Sequence, residues 1–184
     1  KQKRTSKDVF SLERTMKLIA QHEDIFWPEE TIETLRFTSR VFIRNQEGKY
    51  AFLRIVGEDF LGIRNHLETC GGGVEEDETF LEAAIREVEE EIGYTAKNYH
   101  LLGCIIDRLN PIQRMTCSVF FVADADEQLD ETNRTEEEKI LIDQVVWLSP
   151  DEAIRQFRHA ESKVDAWVHR RDLRAFIYLL ENQY

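Results

Sequence analysis

The stretch GGVEEDETFLEAAIREVEEEIGY, from Gly72 to Tyr94, restricts the fold more than any other part of the chain. Glycines open it. Thr79 and Glu82 then have the spacing of a capping box, with Thr79 as N-cap and Glu82 at N3. Gly93 stands where a left-handed residue closes a helix. Loop, helix start and helix stop therefore fall at set positions. The helix between them carries an unusual load, because REVEEE puts five ionised side chains into six positions.

At about 100° per residue, Leu81, Ala84, Ile85, Val88 and Ile92 fall on one arc, which predicts a core-facing stripe. Glu87, Glu90 and Glu91 form a second arc, as i, i+3 and i+4 neighbours with Cβ atoms about 5–6 Å apart. Glu89 points elsewhere and reads as plain surface. Arg86 lies one turn from both Glu82 and Glu90, so it can steady either carboxylate. On open surface each like-charge pair costs only a few tenths of a kcal/mol (roughly). In a cleft, two charges 6 Å apart repel by roughly 3 kcal/mol at an effective dielectric near 20. The acidic run by itself leaves two readings open, a solvated face or a cleft that holds a hard divalent cation.

The rest of the chain reads as strands with a few helices. RFTSRVFIRN and KYAFLRIV are rich in β-branched and aromatic residues, and QEGK between them predicts a hairpin. NHLETC, YHLLGCIID, MTCSVFFVAD and VVWL are further strand candidates. Ser149, Pro150 and Glu152 mark the start of a second helix over DEAIRQFRH, and apolar spacing predicts a third from about Ser162 to Leu180. SLERTMKLIAQHEDIF, in the least readable part of the chain, is expected to be helical, with Trp27-Pro28 ending it. Strands mixed with helices favour an α/β sandwich with a mixed sheet.

Composition narrows the function. With 184 residues there is room for one domain with a substantial core. A net charge of −12 argues against nucleic-acid backbone binding, while leaving a small phosphorylated substrate open. No apolar run reaches the roughly 20 residues of a membrane span. KQKRTSKDVF lacks the apolar segment of a secretory signal, and a start at Lys1 rather than Met suggests trimming. Cys70, Cys104 and Cys117 show no zinc spacing and read as buried free thiols, which suits the cytoplasm.

The glycine and carboxylate spacing carries a resemblance. Five residues separate Gly72 from Glu78, and seven more precede Arg86, Glu87, Val88, Glu90, Glu91 and Gly93 in the order R-E-aliphatic-x-E-E-x-G. This resembles the signature of the Nudix hydrolase family, with seven fixed residues and the aliphatic position in agreement. Chance agreement along a chain this rich in Glu is roughly one in a million if positions are independent. Two positions depart from the family pattern: Tyr94 replaces a closing aliphatic residue, and Cys70 stands before the glycines where Pro is common.

The resemblance implies an α/β/α sandwich with a mixed sheet over residues 36–184, with residues 1–35 an extension of the same domain. It implies that Glu87, Glu90 and Glu91 bind magnesium (Mg2+), or Mn2+ in its place, and that Arg86 orients a helix carboxylate, most readily Glu90. Glu78 and the glycine loop would fix the loop shape, with Gly72 and Gly73 adopting backbone conformations closed to other residues and contacting substrate. Glu90 is the in-box candidate for general base, and Glu137 of the acidic loop TEEEK is the candidate outside it, beside Glu136 and Glu138. The expected reaction is water attack on phosphorus in a nucleoside diphosphate linked to another group, or a similar organic pyrophosphate. Cleavage of nucleoside triphosphates and non-catalytic nucleotide sensing are the alternatives. Pro111 follows Gly93 by eighteen residues, close to but off the spacing of ADP-ribose hydrolases. The expected partner is a small nucleotide, with neither nucleic acid nor membrane, and residues 1–35 are free to form a homodimer contact or an active-site cover. The scattered Arg40, Arg54, Arg64, Arg108 and Arg114 are read as surface pairs, with one or two able to reach phosphate. His66, His100, His159 and His169 have no ligand spacing, and Trp147 reads as core.

Overall fold

Valine, phenylalanine and isoleucine follow one another at positions 41 to 43, and all three side chains are fully buried. Successive strand residues point to opposite faces, so a strand with no exposed face must lie in the middle of a covered sheet. The computed structural model places it there; it describes residues 16–130, 132 and 134–184, apart from the side chains of 137 and 138.

The strands are β1 (Leu18–His22), β2 (Thr34–Arg44), β3 (Tyr50–Asp59), β4 (Gly62–Glu68), β5 (Cys70–Gly73), β6 (Tyr94–Leu109), β7 (Arg114–Gln128) and β8 (Ile142–Leu148). The helices are α1 (Phe80–Glu87), α2 (Glu136–Leu141), α3 (Pro150–Phe157) and α4 (Lys163–Asn182). The sheet runs β1-β6-β7-β2-β3-β4, with β5 also on β2 and β8 also on β3. β1 with β6 and β2 with β7 are parallel, and the other pairs are antiparallel. The expected mixed sheet between helical layers is therefore present.

β2 and β3 pair through Ile43 with Ala51 and Arg44 with Tyr50, confirming the hairpin. Further along they part, and β5 takes the free edge of β2 while β4 takes that of β3, with β8 along the other edge of β3. Under α3 and α4, Phe42, Phe52, Phe120, Phe157 and Phe176 fill one core layer. The Phe42 ring lies 5.8 Å from Phe120 and 5.2 Å from Phe176. On the opposite face Val41, Ile43, Leu53, Val119 and Phe121 pack with Ala84, Val88 and Ile92. Both helix starts hold: Thr79 with Glu82 and Ser149 with Glu152 form complete capping boxes, and Ser162 caps α4. Among the described residues no helix is long and apolar enough to cross a membrane.

Four expectations need correction. The stretch 11–26 is not the expected helix over its described part. Residues 18–22 form β1, which pairs Leu18 with Cys104 and His22 with Asp107, while residues 11–15 lie outside the described set. An open sheet edge satisfies these backbone groups better than a short marginal helix would. Gly103 permits the approach, since a Cβ there would stand 2.3 Å from the Lys17 carbonyl oxygen. NHLETC is split, ending β4 at Glu68 and starting β5 at Cys70. TEEEK is largely helical, within α2. Finally, Leu81 and Ile85 do not belong to the core stripe, being 41% and 38% exposed. Ala83, Ala84, Glu87, Val88, Glu91 and Ile92 make the inner face instead. Small alanines let α1 lie close to the sheet, and this orientation carries two glutamates inward.

Candidate active site

The inward glutamates meet the glycine strand. β5 pairs antiparallel with β2, setting Ser39 opposite Gly72 and Arg40 opposite Gly71. A Cβ on Gly72 would lie 2.3 Å from Glu87 Oε1, so the carboxylate occupies the space a side chain would need. The left-handed backbone belongs to Gly71, with φ of 140°, and not to Gly72 or Gly73 as the loop reading implied. Gly71 N–H donates to Glu91 Oε2 at 2.8 Å. Cys70, in place of the common proline, is buried and its thiol donates to the Glu87 carbonyl at 3.4 Å. Burial, and then the charges of Glu91 and Glu87, push that thiol well above its usual range.

After Glu87 the helix widens into a single π turn over Val88–Ile92, which closes with Gly93 N–H on the Val88 carbonyl at 3.2 Å. Such turns alter the angular spacing of side chains and recur at functional sites. Here the turn leaves Glu91 6% exposed, Glu90 at the rim and Glu89 in solvent. Arg134 seals its end by donating to the Glu91 carbonyl from Nε at 3.2 Å and Nη2 at 2.6 Å. No spacing signal marked Arg134.

Arg86 is the hub. Its Nε and Nη2 grip the two Glu78 oxygens at 2.9 and 3.1 Å. Nη1 donates to Glu87 at 2.8 Å and to Glu90 at 3.0 Å, and Nη2 also reaches the Gly73 carbonyl at 3.0 Å. The arginine thus joins loop, strand and helix, a wider role than steadying Glu90 alone. Hydrogen bonding to Arg86 holds Glu78 below its usual range, and the same contacts raise Arg86 itself. Among the described residues Glu91 has no such guanidinium partner. Burial first, and the Glu87 charge second, push its carboxyl up to about 8.

Glu87, Glu90 and Glu91 supply hard oxygen donors of the kind that suit magnesium. Glu91 is buried next to Glu87, so hard carboxylate oxygens share one enclosed space, and the chemistry of that donor set fits a divalent cation. Among the described residues no three donors already converge at ligating distance, since Arg86 draws on Glu87 and Glu90. Glu136 lies on α2, paired with Lys139 at 2.7 Å, and the side chains of Glu137 and Glu138 lie outside the described set.

Beside this cluster lies a buried charge network that the sequence did not announce. Glu68 bridges Arg40 at 2.8 Å and Arg171 at 3.1 Å, and Arg171 also holds Asp172 at 2.6 Å. Burial raises the Glu68 carboxyl, but Arg40, His66 and Arg171 together hold it well below its usual range. His66 bonds Asp165 at 2.8 Å, and His169 accepts the Leu67 N–H at 3.1 Å, so both are core histidines. His100 and His159 are exposed. Arg54, Arg64 and Arg108 are occupied by Gln156, Asp59 and Asn110. Arg114 has no such partner. Trp147 packs against Tyr94 at 5.6 Å, and Pro111 sits in the short turn after β6.

The glycine strand, the capped helix and the arginine hub form one unit, and a sequence model of the NUDIX domain matches residues 34–168. The chain belongs to the Nudix family. The fold agrees with solved Nudix structures. A NUDIX hydrolase from Nitrosomonas europaea superposes with a TM-score of 0.62 at 17% identity, covering 80% of this chain and 89% of that one. A MutT NUDIX hydrolase from Burkholderia pseudomallei gives 0.55 at 18% identity, covering 65% and 87%. A structure described as an ADP compounds hydrolase gives 0.60 at 18% identity, covering 79% and 71%. No curated protein is similar enough to match. By family and fold this is a Nudix chain, and its box residues Glu78, Arg86, Glu87 and Glu90 share one hydrogen-bond network.

Proposed function

We propose that this Nudix-type hydrolase cleaves a small nucleoside diphosphate derivative, or a related organic pyrophosphate, in a magnesium-dependent reaction. The observation that carries the reading is Glu91: a buried carboxyl beside Glu87, with no cationic side chain paired to it among the described residues, next to the Arg86 hub that organises the other two box glutamates. A divalent cation held by Glu87, Glu90 and Glu91 would supply charge neutralisation of the diphosphate and a more acidic attacking water. The protein's own part would be to keep the carboxylates near one another, Glu87 and Glu90 on one guanidinium and Glu91 buried beside Glu87. Gly71 orients Glu91, Gly72 makes room for Glu87, and Arg86 fixes Glu78, Glu87 and Glu90 against Gly73. Glu90, at the rim and hydrogen-bonded to Arg86, is placed to accept a proton from water, and Glu137 is the second candidate.

The substrate is a free small molecule rather than nucleic acid, as the charge of −12 supports. A reducing cytoplasm suits the three free cysteines. Residues 1–35 are assigned to the same domain as residues 36–184, a division supported by the seat of β1 in the sheet. Whether those residues also form a dimer contact is open to direct measurement by light scattering.

The decisive assay is a panel of nucleotide-linked pyrophosphates incubated with magnesium and, in parallel, with chelator. The reading requires magnesium-dependent release of a nucleoside monophosphate. Release of inorganic pyrophosphate from triphosphates would replace it with the triphosphate reading. Binding without turnover on the whole panel would leave a sensor.

A further inference from the structure

Among the described residues, two arginines on neighbouring strands, one of them beside the glycine strand of the site, are without partners. β2 and β7 run parallel with Thr34 opposite Arg114 and Arg36 opposite Thr116. Alternate residues of a strand share a face, and opposed residues of neighbouring strands do too. Arg36 and Arg114 therefore project from the same face, where Thr38 donates to Ser118 at 2.9 Å. Among the described residues neither guanidinium makes a hydrogen bond or an ion pair, and Arg114 Nε is fully buried with no partner. Arg40, Arg86 and Arg171, close by, are all paired with carboxylates.

Two partly buried guanidinium groups brought together repel each other, a cost that a bound anion would remove. The two groups do interact. Burial and then the Arg36 charge lower Arg114, while burial and then Arg40 lower Arg36, with Glu68 and Glu87 acting the other way. Arg36 is also next to the site already described, because its Nη2 lies 3.3 Å from where a Gly73 Cβ would stand. Thr116 Oγ1, directly opposite Arg36, is a further buried polar atom without a partner among the described residues. Buried polar atoms are nearly always satisfied by solvent or ligand when protein does not do it.

We propose that Arg36 and Arg114 form a two-guanidinium anion site that receives a phosphate group of the substrate next to the box glutamates. The proposal rests on the phosphoanhydride reading for the identity of its ligand. Guanidinium forks match phosphate oxygens in planar, paired geometry, which suits them better than lysine for this role. Arg36 stands between the glycine strand and Arg114, so the phosphate it holds would be oriented relative to Glu87. These are positioning and specificity residues; the chemistry stays with the glutamates.

The test uses Arg36→Gln, Arg114→Gln, the double variant, and Arg36→Lys as the conservative control. Thermal melting with inorganic pyrophosphate in chelator reports the anion site apart from turnover. Wild type should gain Tm with pyrophosphate. The Gln variants should melt at or above the wild-type Tm without anion, because a repelling charge has been removed, and should not respond to pyrophosphate. In turnover assays each Gln variant should raise KM by roughly tenfold or more, with a smaller effect on kcat, and Arg36→Lys should recover part of it. Wild-type KM and a wild-type pyrophosphate response in the double variant would overturn the assignment. So would a lowered Tm in anion-free buffer with KM unchanged, which marks a structural role. If no substrate turns over while the pyrophosphate response still needs both arginines, the hydrolase reading fails and the anion site stands. If diphosphates are hydrolysed with wild-type KM by both variants, the anion site alone fails.

Discussion

Glu89, Glu90 and Glu91 are neighbours in sequence with three different surroundings: solvent, the Arg86 fork and the buried glycine strand. Their substitutions should separate just as widely. Glu90→Gln should lower kcat by two or more orders of magnitude while far-UV circular dichroism and Tm stay near wild type; Glu89→Gln should leave both nearly unchanged. Equal losses in a steady-state assay would contradict this placement. Arg86→Ala removes the hydrogen bonds to Glu78, Glu87, Glu90 and Gly73 at once. The expected cost is about 2 kcal/mol in urea unfolding, discounted because the group is partly exposed, with a larger loss in kcat/KM and a raised magnesium requirement. A wild-type magnesium titration would remove its organising role. Glu91 gives a pH signature. Its carboxyl titrates near 8 in the folded protein against an ordinary value of 4.5, so the folded state holds the extra proton between those limits. That contribution is complete below about 4.5 and is lost as pH rises through 8. Urea midpoints in chelator should therefore fall across this window in wild type and less so in Glu91→Gln. Glu68, Glu78 and Asp165 are held low, so their stabilisation is already complete across this window and is lost only at more acidic pH.

At the scale of the element, α1 shows where sequence reading succeeds and where it stops. Thr79, Glu82 and Gly93 define its ends by local backbone chemistry, and these were legible because capping is decided within a few residues. The inner face was not legible. Counting 100° per residue put Leu81 and Ile85 inside, whereas close packing through Ala83 and Ala84 turned the helix, and the π turn altered the spacing beyond Glu87. Leu81→Gln and Ile85→Gln should each change unfolding free energy by no more than about 0.5 kcal/mol, as for ordinary surface sites. A loss of about 2 kcal/mol or more by chemical denaturation would restore the original stripe. The box glutamates and Arg86 were legible from spacing. Arg36, Arg134 and the Glu68–Arg171 network were not, because their partners are joined by sheet pairing across long stretches of chain.

On the scale of the whole molecule, alternation and turn residues foretold the mixed sheet, but nothing local foretold β1. LIAQH is ambiguous alone and becomes a strand through the edge that β6 offers. Gly103 is the checkpoint for that contact, since any side chain would strike the Lys17 carbonyl. Gly103→Val should detach β1, lower Tm by several degrees and expose the Leu18–His22 amides to hydrogen exchange, while α1 amides stay protected. Unchanged protection of β1 would mean that the edge accommodates the bulk. The parallel pairing of β2 with β7 has a consequence in time. Arg36 and Arg114 are brought together only after the chain between them, including the whole box, has left the ribosome. The ends of the acidic helix are marked by nearby residues, but the meeting of Arg36 with Arg114 must wait for a distant strand to arrive, so the box would be fully synthesised before the proposed phosphate seat exists.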